Sequence, residues 1–215
     1  MSDTPALDFP CETNPFFIPG PTGRLEALSR CSDKEAQPVI AVICHPHPLY
    51  GGTMQNKVVH TLEKTFNKLG ASTLRFNFRG VGNSEGKYDQ GEGELDDLVA
   101  VVEWCQQRLP GHRLWLSGFS FGAYIAFKAA QSLLPEKLIT VAPPVNIFDF
   151  SQHQAPAADW ILLQGDADEI VDAQQVQVWA QQFPQVDLIT MAGAGHFFHG
   201  RLNDLQSALN DRLVS

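Results

Sequence analysis

Positive charge is in short supply in this chain. Fifteen lysines and arginines face 24 aspartates and glutamates, a formal net charge of −9. Nucleic-acid binders and anionic-membrane binders need basic patches, so no nucleic-acid or membrane partner is expected. Long hydrophobic runs are missing as well, and nothing approaches the roughly 20 apolar residues of a membrane-spanning helix. Residues 1–12 are acidic, carry Pro5 and Pro10, and lack the basic and apolar regions of a signal peptide. Cysteine is sparse, and Cys11, Cys31, Cys44 and Cys105 show no Cys-x-x-Cys spacing. Two of them sit in apolar elements. Buried free thiols are therefore expected rather than disulfides or zinc, and with them a reducing, cytoplasmic compartment.

Internal repeats, low-complexity tracts and domain linkers are absent too. A single domain over residues 14–215, behind a tail at 1–13, is expected. Hydrophobic residues make up 44% of the chain and charged residues 18%, enough to build a core and to argue against disorder. No Walker-type phosphate loop occurs. The glycine-rich loop after Arg79 fails the Gly-x-Gly-x-x-Gly spacing, because Glu85 stands at the third glycine position. Arg79 itself is expected to hold its own loop together rather than clamp a substrate.

What is present is an alternation of strand and helix. Residues 16–30 read as two short antiparallel strands around a turn. The continuous apolar run 39–44 reads as a strand covered on both faces. Helical spacing over 56–69, 94–109, 173–183 and 201–213 alternates with strand patterns at 72–78, 114–116, 138–141, 160–163 and 188–191. This order implies an α/β fold, a mostly parallel twisted sheet of about eight strands with helices on both faces.

In such sheets chemistry gathers beyond the carboxyl ends of the strands. After 114–116 comes Gly118-Phe119-Ser120-Phe121-Gly122, running into a helical segment. A serine flanked by glycines two residues to either side, on a strand-to-helix turn, has the form of a nucleophile elbow. Its glycines relieve collisions across a strained turn. Residues 164–171 follow a later strand and, with Asp172, offer Asp166, Asp168 and Asp172. Residues 193–199 follow the last strand and offer His196 and His199. Serine, carboxylate and histidine thus appear in the order of an α/β-hydrolase. After 39–44 comes His45-Pro46-His47-Pro48-Leu49-Tyr50-Gly51-Gly52. His45 and His47 suggest a metal pair, but the prolines bend the segment and no third ligand is evident, so no metal is expected.

On these motifs, with the loops 51–57 and 77–86, the chain resembles the α/β-hydrolase superfamily over residues 14–213. It looks most like a small, lidless bacterial branch related to dienelactone hydrolases. The resemblance implies Ser120 as nucleophile, His196 as base, and Asp168 rather than Asp166 as the acid orienting it. The backbone N–H of Phe121 would supply one oxyanion donor. The second would come from the loop after residue 44, where Pro46 and Pro48 have no N–H and His47 and Leu49 remain; the family's His-Gly-x loop favours His47. Tyr50, Phe119, Phe121 and Phe197 lie near the site by sequence, and at least some of them, Tyr50, Phe119 and Phe197 above all, are expected to give an apolar acyl pocket. Only 17 residues, 142–158, separate two consecutive strands where larger relatives insert a cap, so an open site without a cap domain is expected.

The implied activity is cofactor-independent hydrolysis of a small-molecule ester, with thioesters second. Dienelactone or C–C bond hydrolysis on the same fold is an alternative, although serine rather than cysteine at the elbow departs from typical dienelactone hydrolases. A non-catalytic binding protein is the alternative from another class, and an intact Ser-Asp-His set argues against it.

Overall fold

The computed structural model describes residues 8–11, 14–32, 37–154 and 156–214, so most of the expected tail lies outside the described residues. Eight strands form one sheet in the order β1-β2-β4-β3-β5-β6-β7-β8. β1 (Phe16–Gly20) and β2 (Gly23–Arg30) form a hairpin, and β2 joins β4 (Ser72–Phe76) antiparallel. β3 (Val39–Cys44), β5 (Arg113–Phe119), β6 (Lys137–Val141), β7 (Asp159–Gly165) and β8 (Val186–Met191) continue from β4 in parallel.

The all-apolar β3 is explained by its two faces. Ile40, Val42 and Cys44 join one buried cluster, and Val39, Ala41 and Ile43 join the other. Successive side chains on a strand point to opposite faces, so a strand covered on both sides has no polar face to show. The first cluster is roofed by α2 (Glu92–Arg108), α3 (Phe121–Leu133) and α4 (Ala173–Ala180). The second lies under α1 (Lys57–Lys68) and α5 (Leu202–Leu213). Among the described residues no helix is long and apolar enough to cross a membrane.

Most element ends differ from the sequence reading by a residue or more, those of β5 most of all. β4 stops at Phe76, two residues short of the expected end: the Asn77 N–H still bonds the Glu26 carbonyl opposite it, in register with β2, but the Phe78 N–H leaves the sheet and donates to the His45 ring. α4 stops at Ala180, four residues before Pro184, whose ring disfavours helical backbone in the residue ahead of it. Arg79 is a loop organiser, as expected. Its guanidinium meets Asp97 of α2 at 2.7 Å, both side chains buried, and the Asp97 carboxylate also accepts the Arg79 N–H.

One expectation is overturned. Cys11 and Cys31 form a disulfide, with their Cα atoms 5.1 Å apart. The segment before β1 folds back along β2, where Pro10 accepts a bond from Ser29 and Phe9 packs on Trp104. That return path is tertiary and invisible in cysteine spacing. Cys44 and Cys105 are buried free thiols, and burial pushes both well above the usual thiol range. With one pair oxidised, cysteine usage no longer argues for a reducing compartment.

Candidate active site

Ser120 sits between β5 and α3 with φ +54° and ψ −120°, outside the ordinary regions for a non-glycine residue. The flanking glycines make this possible. A Cβ on Gly118 would stand 2.1 Å from the Gly122 carbonyl oxygen, and one on Gly122 would stand 2.3 Å from the Cys44 carbonyl oxygen. The first collision lies across the turn, as the sequence implied. The second is against β3, because α3 begins hard against the neighbouring strand. The Ser120 N–H donates to Val141 at 2.8 Å, which ties the turn to β6.

The loop after β8 brings His196 to this turn. Its Nε2 lies 3.1 Å from Ser120 Oγ and its Nδ1 lies 2.9 Å from Asp168 Oδ2. The ring is almost fully buried, with Phe119 and Phe197 each 5.0 Å away between centroids. Burial pushes the Asp168 carboxyl up, but bonds from His196 and from the Val171 and Ile170 N–H groups outweigh it and hold the group below its usual range. An ionised Asp168 makes His196 Nδ1 the donor and leaves Nε2 to accept from the serine hydroxyl.

The three acids of this region have separate partners. Asp168 faces His196, Asp166 accepts the Gly193 N–H at 2.6 Å, and Asp172 caps α4 through the Gln174 and Gln175 N–H groups. His199 is exposed and pairs with neither Ser120 nor Asp168; its ring lies 5.8 Å from Phe197.

Two residues that sequence reasoning missed hold this arrangement. Glu169 accepts the His196 N–H at 3.0 Å, and a Cβ on Gly195 would collide with that carboxylate. Gln164 donates to Asp168 at 3.2 Å. Neither carries a motif, since an acid beside an acid and a glutamine at a strand end look like surface chemistry.

After β3, the His47 carbonyl accepts the Tyr50 and Gly52 N–H groups, while His47 Nδ1 accepts the Leu49 N–H at 3.2 Å. The Leu49 donor is therefore spent within its own turn. No bond to another described residue uses the His47 N–H or that of Phe121 at the start of α3. His47 Nε2 is left to donate to the Tyr88 hydroxyl at 3.2 Å. The His45 ring points elsewhere. It is buried, donates from Nδ1 to the Pro46 carbonyl at 2.6 Å and accepts the Phe78 N–H at 3.0 Å. Burial pulls its pKa down to about 4. The two imidazoles are thus committed to different partners.

A cleft of about 500 Å³ opens over Ser120 and His196. Tyr50, Phe121, Ile147, Phe148, Ile170 and Phe197 form most of its apolar wall. Tyr50 and Phe197 line this cleft, but Phe119 does not. It is fully buried beneath His196 and supports the imidazole instead of lining the cleft. Side-chain alternation carries it inward: Phe119 is the last residue of β5 and faces the α1/α5 core. Phe148, which the sequence placed only in an apolar stretch, also borders a larger depression of about 990 Å³ against α4.

Comparison with known proteins follows the same outline. Residues 42–157 match a family model described as the alpha/beta hydrolase fold. An α/β serine hydrolase homologue from Coxiella burnetii is 45% identical, covers 96% of this chain and 100% of its own, and superposes with a TM-score of 0.93. A serine hydrolase without a lid from Xanthomonas campestris is also 45% identical, covers 95% of both chains and gives 0.91. An uncharacterised protein of Rickettsia prowazekii is 38% identical over 93% of this chain and 88% of its own.

Proposed function

This chain belongs to the α/β-hydrolase fold family, and from that premise we propose that it hydrolyses small esters through an acyl-serine intermediate. The observation that carries the reading is the bonded sequence Ser120–His196–Asp168, at 3.1 and 2.9 Å. A serine hydroxyl is a weak nucleophile at its own pKa and needs an adjacent base. His196 Nε2 takes the hydroxyl proton as Ser120 Oγ attacks the ester carbonyl. Asp168 stabilises the imidazolium that results. The ester C–O bond then breaks, and the same proton passes from Nε2 to the departing alcohol. Water, deprotonated by His196, releases the acid and restores the serine.

The negative charge of each tetrahedral intermediate needs donors that are otherwise uncommitted. The N–H groups of Phe121 and His47 suit that role, while Leu49 is excluded by its bond to the His47 ring. The uncharged wall over Ser120 suits an apolar acyl group, and no step calls for a metal or organic cofactor. The family relationship and the 45% identity to two serine hydrolases support the chemistry. The test is Ser120→Ala against a panel of acyl esters and thioesters of increasing chain length. The reading expects turnover to vanish across the panel with the melting temperature nearly unchanged. Retained turnover would move the nucleophile elsewhere.

A further inference from the structure

The cleft over Ser120 does not end at its apolar wall. Through Gly51, Asn56 and Phe197 it meets a second hollow of about 340 Å³, which Lys57 and His199 also line. Through Gln55 and Lys57 that hollow meets a third, of about 620 Å³, running along α1 past Lys64 and Lys68 toward α5. These shared walls make the three hollows neighbours, a trough of adjoining depressions from the serine cleft along α1.

Its charge is the reverse of the molecule's. The chain carries −9 overall, yet neither hollow beyond the cleft is lined by any carboxylate, and three of the seven lysines in the chain line them. Among the described residues, Lys57 and Lys64 take part in no ion pair. The one acid of α1 on this stretch, Glu63, is buried and faces Arg75 at 2.9 Å. A groove of one sign on an oppositely charged body concentrates counter-ions at that place alone.

The chemistry also orients the trough. His196 gives its proton to the departing alcohol, so the alcohol must lie on the His196 side of the serine. Phe197, next to that histidine, lines both the cleft and the nearer basic hollow. The other walls, Ile147, Phe148 and Ile170, are uncharged. Resting on the hydrolase reading above, we infer that the trough along α1 receives the alcohol half of the substrate, and that this alcohol bears an anion, a phosphate or a carboxylate. The preferred substrate is then an ester with an apolar acyl group and an anionic alcohol.

Three butyrate esters that share an acyl group test this: those of glycerol, glycerol 3-phosphate and glycerate. The expected result is a kcat/KM for at least one anionic ester roughly five- to tenfold above that of the neutral ester at low ionic strength, the size exposed lysines supply, shrinking toward parity in about 0.5 M salt. The phosphate and carboxylate arms show which anion is preferred. Lys57→Gln and Lys64→Gln should each lower the anionic-to-neutral ratio several-fold, Lys57→Arg should restore it, and Lys137→Gln, on β6, should leave it alone. A ratio at or below one in the parent protein overturns the inference, as does a ratio indifferent to salt and to both glutamine variants. Failure on all three esters, with Ser120 inert to fluorophosphonate, would remove the hydrolase reading and this inference with it.

Discussion

Asp166, Asp168 and Asp172 fall within seven residues, and on composition alone they are interchangeable. Their partners separate them: a backbone turn, an imidazole and a helix N-terminus. Asp168→Asn is therefore expected to lower kcat by about 10⁴, because an amide favours the wrong imidazole tautomer. Asp166→Asn should lose far less, since its carboxylate anchors the Gly193 turn without touching His196. Steady-state kinetics on one ester checks the pair, and equal losses would contradict the assignment. His45 gives a prediction in pH. Its pKa is about 4 in the folded protein against an ordinary value near 6.5. A depressed histidine pKa contributes stability that is whole above about 6.5 and is lost as pH falls toward 4, on the order of 3 kcal/mol for this shift. Urea titrations between pH 7 and 4 should show a steeper loss in the parent protein than in His45→Gln. Parallel slopes would mean that His45 is not neutral in the fold.

The elbow was the most legible element, because its requirement is local: two positions without side chains around a strained serine. A methyl at Gly122 meets backbone oxygen of β3, not a flexible side chain, so nothing can move aside cheaply. Gly122→Ala should lower the melting temperature sharply, and thermal unfolding followed by circular dichroism reads it. The loop from β4 to α2 was less legible. Arg79 read as a loop residue, but its partner Asp97 lies eighteen positions on, inside an ordinary amphipathic helix, with nothing in the pattern to mark it as buried. Removing one member of such a pair strands a buried charge, so Asp97→Ala should cost about 3–5 kcal/mol in chemical denaturation. A cost below about 1 kcal/mol would show the arginine reaching water instead.

For the molecule as a whole, the alternation of elements, the mostly parallel sheet and the helices on both faces could be read from periodicity, whereas the spatial order, with β4 between β2 and β3, could not. Neither could contacts made by segments folding back over the sheet. The Cys11–Cys31 bond depends on where finished elements lie, while the inward turn of Phe119 follows from strand alternation once β5 runs on to residue 119 rather than ending at 116. That disulfide gives a prediction at this scale. Arg30 pairs with Thr73 near the start of β4, so Cys31 lies at the amino edge of the parallel strands, while Ser120 lies at their carboxyl edge. Closing a loop across a sequence separation of 20 is worth about 3 kcal/mol. Reduction, or Cys11→Ser with Cys31→Ser, should lower the denaturation midpoint by that order and leave ester turnover per folded molecule unchanged. A parallel fall in turnover would show that the two edges of the sheet are coupled.

The central claim is that one serine, held by an imidazole and a carboxylate from two other loops, becomes covalently acylated. Treatment with a fluorophosphonate, followed by peptide mass spectrometry across β5 and α3, measures this directly. The account predicts a single adduct on Ser120 that His196→Ala abolishes. An unmodified Ser120 in a preparation that still hydrolyses esters would contradict it.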